Sequence, residues 1–73
     1  MKAFGYESGG ENLLTISEVT LQASPEELRT LAKFIEKCAT EIDENENWEH
    51  EHYSEYAGVE NSSIECDLIV FKP

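Results

Sequence analysis

The stretch Ser24-Pro25-Glu26-Glu27 marks where a helix must begin, and much of what this chain can fold into follows from it. Ser24 is a natural N-cap and Glu27, three residues on, completes a capping box. Pro25 falls at the first helical position, where its missing N–H would find no partner anyway. Beyond it, Leu28, Leu31, Ala32, Ile35, Cys38, Ala39 and Ile42 lie within an arc of about 120° at helical spacing, with Phe34 at its edge. That arc predicts a single amphipathic helix ending near Ile42 or Asp43, where Asp, Asn and Glu cluster. Arg29, Lys33 and Lys37 recur every four residues on the opposite side. They read as a solvated back face with Glu26, Glu36 and Glu41 as local partners, rather than as a basic stripe for a ligand.

Strand-like segments flank this helix. KAFGYES places Phe4 and Tyr6 on one face, Gly9-Gly10 is a turn signal, and ENLLTISEVTLQA resumes strand composition, so a β-hairpin is expected. Its second arm changes parity. Leu14 and Ile16 share one face and Val19, Leu21 and Ala23 the other, which requires either a bulge or packing on two layers. After the acidic loop DENEN comes WEHEHYSEY, then a turn-rich AGVENSS, and finally IECDLIVFKP. In the last, Ile64, Cys66, Leu68 and Val70 alternate with Ile69 and Phe71. The expected fold is α+β: a small mixed or antiparallel sheet of three to four strands with one helix packed on one face, in the order ββα(β)β. The uncovered face of that sheet is a candidate contact surface.

Seventy-three residues make one domain, 1–73, and a small one that buries only about 60% of its unfolded surface. Such a chain needs an additional stabiliser. Two cysteines, Cys38 and Cys66, in helix and strand segments do not form a disulfide framework, and both are expected as buried thiols. A metal or a partner subunit remains, and a homodimer is the commoner solution. The N-terminal MKAFGYESGG lacks a signal-peptide core and no run approaches membrane-spanning length, so a cytoplasmic location is expected.

Charge limits the partners. Sixteen acids face five bases, for a net charge of −11, and between Glu41 and Glu55 seven of fifteen residues are acidic with no Lys or Arg. Nucleic acid and anionic membranes are excluded as expected partners, because both require Lys and Arg against phosphate. A basic protein or a cation fits, although part of this charge serves solubility alone.

Catalysis has little to work with: no glycine-rich phosphate loop, no nucleophile elbow and no electropositive, exposed cysteine. The chain is expected not to be an enzyme. WEHEHYSEY is the segment with chemical specificity. As a strand it projects His50 and His52 together with Trp48, while Glu49, Glu51 and Tyr53 face the other way. Two imidazoles begin a zinc or nickel site, which needs further ligands from carboxylates or a second subunit. Alternatively, Trp48, Tyr53 and Tyr56 among His and Glu have the make-up of a recognition edge. A plain half-exposed strand, with Trp48 closing the core, is compatible with the second use.

The segment LTISEVTLQASPEELRTLAKFIEKCA, then WEHEHYSEY and the terminal DLIVFKP, resembles the immunity protein 32 family of bacterial polymorphic toxin systems. The shared features are an EVTL strand, Ser-Pro-Glu-Glu-Leu opening a helix, a His-x-His segment and a last strand of the form Asp-[Leu/Ile]-[Ile/Val]-Val. They run from about Leu14 to Pro73, and KAFGYESGG lies outside them. The resemblance implies a small cytoplasmic protein that neutralises a cognate toxin by binding it, and a basic nuclease would suit the acidic surface. The expected partner-binding residues are Trp48, Glu49, His50, Glu51, His52, Tyr53 and Glu55, with no cofactor. Zinc on His50 and His52, or a structural or regulatory dimer, is the alternative.

Overall fold

The structure is a computed structural model and describes residues 1–56 and 65–73. Strands β1 (Ala3–Gly5) and β2 (Leu14–Ile16) precede helix α1 (Pro25–Glu44). Strand β3 (His50–His52), a 3-10 turn over Tyr53–Glu55 and strand β4 (Ile69–Phe71) follow. The turn expected over Ala57–Ser63, and Ile64 of the expected last strand, lie outside the described residues.

The helix begins as its sequence dictates. The Glu27 N–H donates to Ser24 Oγ at 3.1 Å, and Glu27 Oε1 accepts from the Ser24 N–H at 3.1 Å, so two orphan donors of the first turn are satisfied reciprocally. The helix runs 20 residues, ending slightly later than expected, where the Asn45 N–H donates to the Glu41 carbonyl. Asn45 then turns the chain back: its side chain accepts from the Asn47 N–H at 3.0 Å and its carbonyl from the Trp48 N–H at 3.1 Å. This turn delivers Trp48 and β3 alongside the helix that has just ended.

The α+β class is as expected, but the sheet is not. Among the described residues the strands form two separate antiparallel pairs, β1–β2 and β3–β4, instead of one sheet of three to four strands. Each strand has three residues. A further ladder between strands so short returns few hydrogen bonds for the conformational entropy of ordering it.

In the hairpin, Ala3 pairs with Ile16, Phe4 with Thr15 and Gly5 with Leu14. Its connection contains a turn in which the Gly10 N–H donates to the Glu7 carbonyl at 2.8 Å and Gly9 takes φ +76°, a left-handed value that glycine adopts without strain. The parity conflict in the second arm has a simple resolution. Strand β2 stops at Ile16, and Val19 and Leu21 lie beyond it, exposed and outside any ladder. Phe4 and Tyr6 also face outward, while Ala3, Gly5 and Ile16 are half-buried.

The helix presents a different face from the one its apolar arc predicts. Phe34 and Cys38 are fully buried, flanked by half-buried Leu31, Lys37, Glu41 and Ile42, whereas Leu28 and Ile35 remain 43% and 50% exposed. At 100° per residue this is a rotation of about 80°. Phe34 causes it by packing against Tyr53 and Tyr56, with ring centroids 5.2 and 5.5 Å away. Edge-on aromatic contacts add to the area an aromatic ring buries, and a phenyl group has more area to bury than any other side chain in the arc. The rotation takes Lys37 off the back face and into ionic contact with β3. The expectation of two buried thiols holds for Cys38, but Cys66 is exposed. Among the described residues, no helix is long and apolar enough to cross a membrane.

Replacing Ser24 by Ala is expected to lower stability by about 1 kcal/mol, because the Glu27 N–H loses its Ser24 Oγ acceptor, while the backbone N–H of residue 24 can still donate to Glu27. Urea denaturation should show this as a lower midpoint at unchanged m value.

Candidate functional site

The β3–β4 pair is the best-defined polar assembly in the described chain. Its register sets His50 opposite Phe71, Glu51 opposite Val70 and His52 opposite Ile69. Two further backbone bonds extend the pairing, Tyr53 N–H to the Leu68 carbonyl at 2.7 Å and Lys72 N–H to the Glu49 carbonyl at 3.0 Å. Because opposite residues share a face, Glu51 and Val70 turn to the helix and the His50–Phe71 and His52–Ile69 pairs turn away from it.

On the helix side, Lys37 Nζ reaches Glu51 Oε2 at 2.7 Å and Glu41 Oε2 at 2.9 Å. Trp48 Nε1 donates to Glu41 Oε1 at 2.9 Å. The two carboxylates hold the Lys37 ammonium well above its ordinary pKa. Hydrogen bonds from Lys37 and then Trp48 hold the Glu41 carboxyl below its ordinary value. Glu41 occupies the last turns of the helix, where the macrodipole is unfavourable for an anion, so these donors offset a local cost. Burial, with Glu51 nearby, pushes the Cys38 thiol up, which makes it a space-filling group rather than a nucleophile. Pairs this exposed contribute little net stability, because solvent screens them. Their main effect is to orient β3 on the helix.

On the outer side, Asp67 closes the assembly. Its carboxylate takes His52 Nδ1 at 2.8 Å, the Ser54 N–H at 2.9 Å, the Ser54 hydroxyl at 3.1 Å and the Leu68 N–H at 2.9 Å. Partial burial pushes the Asp67 carboxyl up, but the hydrogen bonds from His52, Ser54 and Leu68 outweigh it and leave the group below its ordinary pKa. His52 and Ser54 both address Asp67, and the hydroxyl is directed to the carboxylate rather than to the imidazole. This is a clasp between β3 and β4, not the nucleophile–base–orienter relay of a hydrolase. His50 lies free of it, stacked on Phe71 with centroids 5.6 Å apart and 6° between planes. The two imidazoles share a face, with centroids 5.5 Å apart.

The structure therefore divides the segment singled out from sequence. Trp48 turns to the helix instead of sharing the face of the histidines, because its indole N–H finds Glu41 there. Glu51 and Tyr53 also face the helix, and His52 is held by Asp67. Glu49, His50 and Glu55 are the members left exposed. On the face that carries His50, Ile69 and Phe71 are 54% and 65% exposed. Two imidazoles could begin a metal site, but among the described residues no group of three or more His, Cys, Asp and Glu side chains is placed to hold an ion. Asp67 was legible in part: a lone carboxylate at the mouth of the apolar run Leu68–Phe71 needs nearby donors. Which donors it takes depends on the β3–β4 register.

Asp67 and Glu41 both have lowered folded-state pKa values. Each therefore contributes stability that is fully present above the ordinary carboxylate range near pH 4 and is lost as pH falls through its folded value. Asp67→Asn should lower stability at neutral pH by about 1–2 kcal/mol through weakened hydrogen bonding. It should also flatten the acid limb of the stability profile, read from thermal melts between neutral pH and about pH 2.

The immunity protein 32 family model matches residues 18–73, which takes in α1, β3 and β4 and leaves out the β1–β2 hairpin. No curated protein and no solved structure matches the chain. Proteins of this kind are generally not enzymes. With the match covering most of its length, the chain belongs to the immunity protein 32 family, and its general role is that of an immunity protein, neutralising a cognate toxin by binding it.

Proposed function

We propose that the chain neutralises its toxin by occlusion, through the outer side of the Trp48–Glu55 segment and the strand paired with it. In this reading Trp48, Glu51, His52 and Tyr53 position the segment, and Glu49, His50 and Glu55 with Ile69 and Phe71 make the contact. The observation that carries it is the His50–Phe71 stack, an exposed aromatic pair on a ribbon anchored from behind, in a segment whose exposed acids Glu49 and Glu55 make no ion pair among the described residues. Preformed aromatic anchors give contact area at little entropic cost, and surrounding charge steers a partner of opposite sign.

The acidic balance of the chain points to a basic toxin surface, such as that of a nuclease from a polymorphic toxin system acting in the cytoplasm. A homodimer is a second reading. It is supported by the small core, in which Phe34 and Cys38 are the fully buried apolar side chains among the described residues. Sedimentation of the purified chain tests it directly.

The toxin reading is tested by co-expression with the toxin domain encoded beside it, followed by binding kinetics. Phe71→Ala should weaken binding about tenfold or more, mainly through faster dissociation. Glu49→Gln with Glu55→Gln should slow association several-fold and reduce its dependence on salt. Affinity indifferent to all three changes would remove this surface from the mechanism.

A further inference from the structure

A groove of about 440 Å³ runs between the N-terminal half of α1, the extended residues 20–23 and the approach to β4. Its apolar walls are Leu21, Leu28, Leu31, Tyr53 and Leu68. Two of them, Leu21 and Leu28, are 51% and 43% exposed, so this surface is not closed by the described residues. It exists because of the helix rotation about Phe34: the ring turns toward Tyr53 and Tyr56, and the Leu28–Leu31 side of the apolar arc is left against an open channel.

We infer that this groove is a second toxin-docking site, and that it takes an extended or helical segment carrying apolar side chains flanked by Lys or Arg. Charge selects that occupant. Among the described residues, the charged residues lining the groove are Glu27 and Glu65, and none of them is a base. A second copy of a chain with net charge −11 would bring acid against acid, whereas a basic-flanked segment brings opposite charge and covers the leucines. The groove's volume is within the range of pockets that enclose several side chains. The inference rests on the toxin-neutralisation reading, and its test is built to fail separately from it.

The chain carries its own reporter. Cys66 lines the groove and is exposed, while Cys38 is fully buried, so a thiol reagent such as Ellman's reagent should react quickly with one cysteine in the folded protein. Adding saturating cognate toxin domain should slow that reaction at least about tenfold. Leu28→Glu should raise Kd about tenfold or more, as expected for loss of a buried apolar anchor. Its position on an exposed helix face leaves the capping box and the Phe34 contacts in place, which circular dichroism checks. Glu65→Lys, in an exposed turn, should raise Kd several-fold without touching the core. If wild type binds toxin but neither variant changes Kd and Cys66 keeps its rate, the groove is not the site while neutralisation stands. If wild type fails to bind, both readings fall. Slow Cys66 reaction in the chain alone, restored by Leu28→Glu together with conversion of a dimer to a monomer, would assign the groove to a second copy. Slow reaction in a monomer would mean that the chain covers the groove itself. Either result overturns the inference.

Discussion

The packing of Phe34 against Tyr53 and Tyr56 is the contact on which the remaining geometry depends. It joins a helix that forms locally to a strand pair that cannot form locally, since β3 and β4 are far apart in sequence. With Phe34 seated, Cys38 is buried beside it and Lys37 is brought to Glu51. Trp48 then meets Glu41, and the outer face of β3 is fixed by default. The ion pairs contribute direction, whereas the aromatic cluster contributes burial, which stabilises a domain of this size more than exposed ion pairs do.

A core this small leaves the domain marginal, and it leaves apolar surface on several sides. Scattered exposed leucines are ordinary on a soluble protein. Among the exposed apolar side chains here, Ile69 and Phe71 lie on the His50 face and Leu21 and Leu28 along the groove, while Phe4, Leu14, Val19 and Ile35 lie elsewhere. For an immunity protein this arrangement has a physical logic. A binding protein that buries its apolar surface against its partner gains stability from the complex, so free and bound forms should differ in melting temperature by mass action.

Much of the helix was legible because its signals are local. Ser24, Pro25 and Glu27 act within one turn, and their hydrogen bonds are the ones the sequence predicts. The β-segments were legible as extended chain but not as a sheet. Period-2 alternation says that a segment can pair and not with what, and strands of three residues carry too few alternations to specify a partner. The histidine pair on one face followed from strand spacing alone. The role of each neighbour did not, because Trp48, Glu51 and Tyr53 could not be assigned to the helix side before the helix rotation was known.

The sequence by itself determined a single capped helix, an α+β class, an acidic composition and the shared face of His50 and His52, because the helix caps and the strand spacing act within a few positions and composition needs no fold. Only the tertiary structure decided which helix face is buried, how the strands pair, and that Asp67 clasps His52 and Ser54. Those outcomes turn on competition between alternative burials. Phe34 outweighs the leucine side of the arc because its ring finds two tyrosines delivered from about twenty positions further along the chain, a match that no local pattern encodes.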